Sequence, residues 1–317
     1  MRIGYESFTQ GGLLYLRAGF LQNLRFFAAF LSPFGLFLCD FAMSRSAHPT
    51  AKTAPKSTLP RKPKFAPVTF SEQDGVRFLH FGTVWVQGAM RLRKPFKLEL
   101  EYAQQMMIWL LFMDAPQHIA QLGLGAAALT KFCWQQCPTA QVTAVELNPD
   151  VIISAHSMFA LPPEDARLTV LEQDAGEWVA HPKRARSVDV LQVDLYDATA
   201  RGPVLESLEF YQACRRALRS PGMLTVNLFG DHPSFVRNIT NLRAAFDDRV
   251  LCLPEVHQGN VIALAFNGPP LDVSWEALYQ RALAVEAQYD LPARKWVKGL
   301  RERLQDLGGN VTLGLSV

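Results

Sequence analysis

The chain has 317 residues, 49% of them hydrophobic and 19% charged, with a net charge of +3. That is enough to bury a core, and it excludes collagen-like, coiled-coil and wholly disordered classes. The charge is segregated: residues 1–43 carry +1, 44–64 carry +6 and 65–317 carry −4. The basic character therefore sits in a tail, and the body gives no electrostatic footprint for nucleic acid.

Residues 26–39 (FFAAFLSPFGLFLC) form an uncharged apolar run between Arg25 and Asp40. It is short for a spanning helix and contains Pro33. Three readings of this 1–43 leader stay open: an extension preceding a true start at Met43, a membrane-associating segment, or a cleaved signal with a poor cleavage site. Any membrane association would run through 26–39 alone. Residues 44–64 are rich in Pro, Ser, Thr and Lys without apolar periodicity, a composition expected to form a disordered linker.

From residue 65 the pattern changes. Short β-rich runs at 68–70, 76–80 and 83–87 predict a small β-hairpin domain over 65–97. Residues 98–113 predict one helix. Strands at 119–122, 141–146, 168–172, 188–193 and 223–228 then alternate with helices at 126–137, 149–160, 175–180, 204–219 and 233–245. Such alternation predicts a doubly wound, mostly parallel Rossmann-like α/β sheet. Runs at 250–253 and 261–265 are close enough in sequence to pair as an antiparallel hairpin, making the last strand antiparallel. Two helices, 274–288 and 292–306, end the 98–317 domain.

The five cysteines are odd in number and scattered, unlike a secreted disulfide framework. Cys133 and Cys137 fall on one face of an expected helix and read as small buried apolar residues. The seven histidines lack zinc-site spacing, so no metal is expected.

In a doubly wound sheet ligands bind at the carboxyl ends of the strands. Gly123 and Gly125 follow the first strand of the alternation, and Glu146 follows the second. A glycine turn lets backbone approach a ligand, and an acid about 20 residues on can accept ribose hydroxyls. The pair fits a GxGxxA dinucleotide site and equally a nucleoside-sulfonium site. Asp174, Asp194 and Asp197 end the next two strands. A hydride-transfer site has little use for several carboxylates, whereas a site for a cationic sulfonium and a polycationic amine uses many.

The segment Val193-Asp194-Leu195-Tyr196-Asp197, with Gly202-Pro203 and Glu209-Phe210-Tyr211 after it, resembles the catalytic loop of the spermidine synthase (polyamine aminopropyltransferase) family, within the S-adenosylmethionine-dependent methyltransferase-like superfamily. Val145–Ile152 resembles that family's ribose-binding strand end, Gln173-Asp174-Ala175 its adenine-binding element, and Glu101–Met106 its Tyr-Gln segment. The similarity spans roughly 66–266. Two departures stand out: Ala126 occupies the place of a loop acid, and Ala198 that of a proline.

The resemblance implies transfer of an aminopropyl group from decarboxylated S-adenosylmethionine to a polyamine such as putrescine, releasing 5′-methylthioadenosine. It implies Asp194 as the catalytic acid–base. Tyr102, Gln104, Gln105 and Asp197 would bind substrate, while Gly123, Gly125, Glu146 and Asp174 hold the nucleoside. The donor would be a co-substrate rather than a tightly bound cofactor, and the protein a cytoplasmic homo-oligomer, a dimer. Open alternatives are a methyltransferase using intact S-adenosylmethionine, a non-catalytic nucleoside-binding homologue, and an NAD-dependent oxidoreductase.

Overall fold

A computed structural model gives the fold of residues 65–198, 202–256, 259–306 and 314–316. The 1–43 leader and 44–64 linker lie outside these described residues. Three strands, β1 (Val68–Gln73), β2 (Val76–Phe81) and β3 (Gly88–Arg91), form an antiparallel sheet at the amino end. Asp74 and Gly75, both at positive φ, make the tight turn between β1 and β2, the geometry that suits strand twist.

The expected strand over 83–87 is corrected: these residues bend, and the third strand starts at Gly88. Their hydrogen bonds go elsewhere. Thr83 Oγ1 donates to the Ala198 carbonyl (2.9 Å) and Gln87 Nε2 to the Asp197 carbonyl (3.0 Å), tying the bend to a distant loop. The single helix expected over 98–113 is also corrected. Only α1 (Glu101–Gln105) is α-helical, followed by a 3-10 turn at Ile108–Leu111. Residues 106–111 are at most 4% exposed. A segment enclosed on every side follows its neighbours, and here it winds tighter, with Leu110 N–H donating to Met107 C=O.

The alternation then runs β4 (His118–Leu122), α2 (Ala128–Gln136), β5 (Gln141–Glu146), α3 (Pro149–Met158), β6 (Leu168–Glu172), α4 (Ala175–Ala180), β7 (Val188–Val193) and α5 (Leu208–Ala217). It continues with β8 (Leu218–Phe229), α6 (Phe235–Ala245), β9 (Val250–Cys252) and β10 (Asn260–Asn267). Helix α5 is shorter than expected because Ser207 caps it, accepting from Phe210 N–H at 3.2 Å. β8 is correspondingly longer.

The sheet order is β6-β5-β4-β7-β8-β10-β9. The first five are mutually parallel, and β10 is antiparallel to both β8 and β9. This is the Rossmann-like, methyltransferase-type sheet with an antiparallel last strand. Insertion of β10 between β8 and β9 is a feature that the sequence spacing alone does not give. Successive strand residues serve opposite faces. Ile119, Val142 and Val190 face the side covered by α2 and the carboxyl-terminal helices α7 (Trp275–Tyr289) and α8 (Ala293–Asp306). Ala120, Val145 and Leu191 face α4, α5 and α6.

Cys133 and Cys137 are buried free thiols on the first face. Two short strands, β11 (Asp272–Ser274) and β12 (Gly314–Ser316), pair with each other and were not expected. Among the described residues no helix is long and apolar enough to cross a membrane. The order of strands reverses between β4 and β7, and the carboxyl ends of these two strands open the crevice where a ligand would sit.

Candidate active site

Three strand ends meet at the crevice. Gly123 N–H donates to Val145 C=O, and Asp194 N–H to Leu122 C=O, both at 2.9 Å. Gly123 has φ +89°, and a Cβ built on it would lie 2.1 Å from the Asp194 carbonyl oxygen. Only glycine permits this crossing. Gly88 on β3 makes a second close approach, with a built Cβ 2.7 Å from the Ala126 Cβ. The small amino-terminal sheet thus rests directly on the glycine loop.

That contact also accounts for Ala126. Its side chain is 3% exposed and packs with Leu79, Met90 and Phe159, so a small apolar residue fits where the resembling family has an acid.

Glu146 at the end of β5 ties two loops together. Its Oε2 accepts from Leu124 N–H and its Oε1 from Asn148 N–H, both at 2.9 Å. Burial raises its pKa and these backbone donors pull it back down. The Leu147 and Gly125 N–H groups also act on this carboxylate, so four backbone donors hold it between the two loops. Asp174 caps α4 by accepting from Glu177 N–H through Oδ1 at 2.9 Å.

Asp194 ends β7 at the floor of the crevice. Asn227 Nδ2 donates to its Oδ1 at 2.9 Å, and the Tyr102 hydroxyl lies 3.4 Å from its Oδ2. Burial lifts the Asp194 carboxyl to about 6, against the opposing pull of these two donors. Burial, then the nearby Asp194 charge, pushes the Tyr102 phenol well above its usual value. Tyr102 therefore stays protonated and acts as a donor.

A small open cleft of about 20 Å³ lies above this carboxylate, lined among others by Gln87, Leu100, Tyr102, Gln121, Leu124 and Asp194. Asp194 is the charged group among the described residues on that lining, and the remainder is the Tyr102 phenol, two amides and apolar groups. Such a cavity raises the basicity of its one carboxylate and favours an ammonium as its counter-charge.

Of the residues expected from sequence, Tyr102, Gly125 and Asp194 line the cleft. Gly123 and Glu146 build its rim through the loop. Gln104 and Gln105 point elsewhere: Gln104 Nε2 donates to Leu98 C=O at 2.9 Å, and Gln105 Nε2 reaches Pro254 C=O at 3.4 Å. Asp197 enters the rim through its carbonyl, held by Gln87. Gln87, Gln121 and Asn227 were missed. The signal for the last two was an amide inside a largely apolar strand run.

No family model matches the chain. Over 243 residues it is 35% identical to a polyamine aminopropyltransferase of Neisseria meningitidis, covering 76% of this chain and 92% of that protein. The chain belongs to the polyamine aminopropyltransferase family. Its members are transferases, and the Asp194 loop, the Glu146 strand end and the Tyr102 helix are the elements on which the sequence resemblance rested. Among solved structures, a probable spermidine synthase from Corynebacterium glutamicum aligns with a TM-score of 0.57 at 20% identity, over 74% of this chain and 91% of that one. Human methyltransferase-like protein 13 in complex with SAH aligns at 0.54 and 21% identity, over 61% and 94%. The fold is thus shared with a probable spermidine synthase and a methyltransferase-like protein alike, and fold alone does not choose between reactions.

Proposed function

We propose that this aminopropyltransferase family member moves an aminopropyl group from decarboxylated S-adenosylmethionine to a polyamine such as putrescine, releasing 5′-methylthioadenosine. The observation carrying this reading is Asp194: a carboxylate with its pKa lifted to about 6, facing a cleft beside the nucleoside loop. A primary ammonium must lose a proton before its nitrogen can attack. Asp194 takes that proton, the nitrogen lone pair forms the new C–N bond, and the C–S bond electrons return to the sulfonium, leaving a neutral thioether. Tyr102 donates to the same carboxylate and holds it in place. Glu146, Asp174 and the backbone at Gly123 and Gly125 bind the nucleoside in this scheme. A cytoplasmic, homo-oligomeric setting belongs to the same reading.

The test is production of 5′-methylthioadenosine from decarboxylated S-adenosylmethionine and putrescine, run beside intact S-adenosylmethionine. Consumption of the intact donor alone would replace this reading by methyl transfer. The pH dependence follows from the direction of the Asp194 shift. The base must be ionised, so kcat/KM falls as pH drops through about 6. A pH profile with no inflection between 5 and 7 would remove Asp194 from the proton-accepting role.

Glu146→Gln gives a separate check on the nucleoside side. The amide keeps one acceptor but presents an NH2 group to a backbone N–H that now bonds a carboxylate oxygen. We expect 5′-methylthioadenosine affinity to fall by roughly 1.5–3 kcal/mol. Calorimetric titration reads this directly, and an unchanged Kd would mean that Glu146 serves the loops alone.

A further inference from the structure

β8 is buried from Met223 to Leu228, and Asn227 interrupts its apolar run at 2% exposure. A buried amide costs stability unless its donors and acceptor are met. Asn227 Nδ2 meets Asp194 Oδ1 at 2.9 Å, and its Oδ1 accepts from Asn260 Nδ2 at 2.9 Å. Asn260, 8% exposed, lies diagonally across from Asn227, because Ile262 is the residue directly opposite. Its Nδ2 is also 3.3 Å from the Tyr196 hydroxyl.

We propose that Asn227 and Asn260 are positioning residues that fix the Asp194 carboxylate in its cleft-facing orientation and keep it ionisable there. The role rests on the aminopropyl-transfer reading, and neither amide lines the cleft. A carboxylate only accepts hydrogen bonds, so Asn227 must turn its nitrogen to Asp194 and its oxygen to Asn260. Turning the amide over would set oxygen against carboxylate and NH2 against NH2. Asn260 thereby locks the Asn227 amide without touching Asp194.

The titratable groups facing Asp194 are Tyr102 on α1 and Tyr196 on its own loop, both held neutral by burial. The neighbouring strands β4, β8 and β10 offer Gln121, Asn227 and Asn260, all uncharged. Among the described residues, Asn227 is therefore the side-chain donor that stabilises the Asp194 charge, besides the long contact from Tyr102.

The test is a carbon-13 carboxyl NMR titration of the aspartate-labelled full chain, with Asp194→Asn to assign the signal, alongside the pH profile of kcat/KM. Asn227→Leu and Asn260→Leu should both move the Asp194 midpoint upward, by about one pH unit or tenfold in the ionisation constant. The acid limb of kcat/KM should move with it. A shift in Asn260→Leu is the decisive signature, since that side chain makes no contact with the carboxylate. Should Asn227→Leu fail to fold, Asn227→Ser, with a smaller polar side chain, takes its place. An unmoved midpoint in folded Asn260→Leu and Asn227 variants overturns the proposal. A moved midpoint with an unmoved acid limb overturns Asp194 as the proton acceptor, a wild type that turns over no donor overturns the transfer reading, and both leave the positioning role standing.

Discussion

Asp194→Asn lowers turnover by roughly 100-fold or more while leaving 5′-methylthioadenosine affinity nearly unchanged, and it raises the melting temperature at neutral pH. Asparagine keeps the shape and one acceptor. Asn227 still donates to its oxygen, and the Tyr102 hydroxyl rotates to accept from its NH2. What it loses is the ability to take a proton and to balance an ammonium, the chemistry that the proposed reaction asks of this position.

The stability gain comes from the same burial. The folded carboxyl titrates near 6 against an ordinary 3.8. Between those two pH values the folded chain holds a proton that the unfolded chain has released, so stability falls as pH rises through the window. Above about 6 the full cost is present, about 1–3 kcal/mol, and asparagine does not incur it. Melting curves of wild type and variant should therefore separate at pH 7 and converge near pH 4. Equal separation at both pH values would show that ionisation of Asp194 is not what destabilises the wild type. Loss of activity with a gain in stability is the mark of a residue retained for function.

The layered sheet was legible from sequence because its signal is local. Runs such as 141–146 and 188–193 are β-branched, bounded by turns, and spaced by helices of regular length. The 83–87 and 98–113 segments were misread for one physical reason: their conformation is set by distant partners. Trp85 and Val86 have strand-like composition, yet Thr83 and Gln87 spend their hydrogen bonds on the 197–198 loop. The 106–111 stretch is apolar like a helix, but it is enclosed on all sides and has no solvent face to set its period.

The site divides in the same way. Asp194 and Glu146 could be placed at the crevice from sequence because strand ends are positions that sequence can locate, and the fold brings those ends together. Gln104 and Gln105 came from the resemblance of Glu101–Met106 to the family's Tyr-Gln segment, but helix α1 sends neighbouring side chains in different directions. Ala126 shows the limit most clearly. Its sequence place suggests a missing carboxylate, and only the approach of Gly88 from β3 shows that its side chain is packed into an apolar cluster.

Gly123→Ala is expected to damage both fold and site, and Gly75→Ala to damage the fold alone. Both glycines sit at positive φ, +89° and +74°, where an L-residue costs about 1–2 kcal/mol. Gly75 has nothing within 4 Å of a built Cβ, so that backbone term is the whole of its penalty. At Gly123 the new methyl would stand 2.1 Å from the Asp194 carbonyl oxygen and 2.9 Å from its carbon. Both atoms are backbone and cannot swing aside. One chain must move by about an ångström, breaking the bond from Asp194 N–H to Leu122 or that from Gly123 N–H to Val145. The combined loss should reach about 3 kcal/mol or more in urea unfolding. The molecules that still fold should bind 5′-methylthioadenosine at least 100-fold more weakly, because the displaced segments carry both the nucleoside loop and the Asp194 carboxylate. Equal destabilisation of the two variants with full affinity in both would mean that the site tolerates slack at this crossing, and the geometry that brings β4 and β7 together would lose its claim on function.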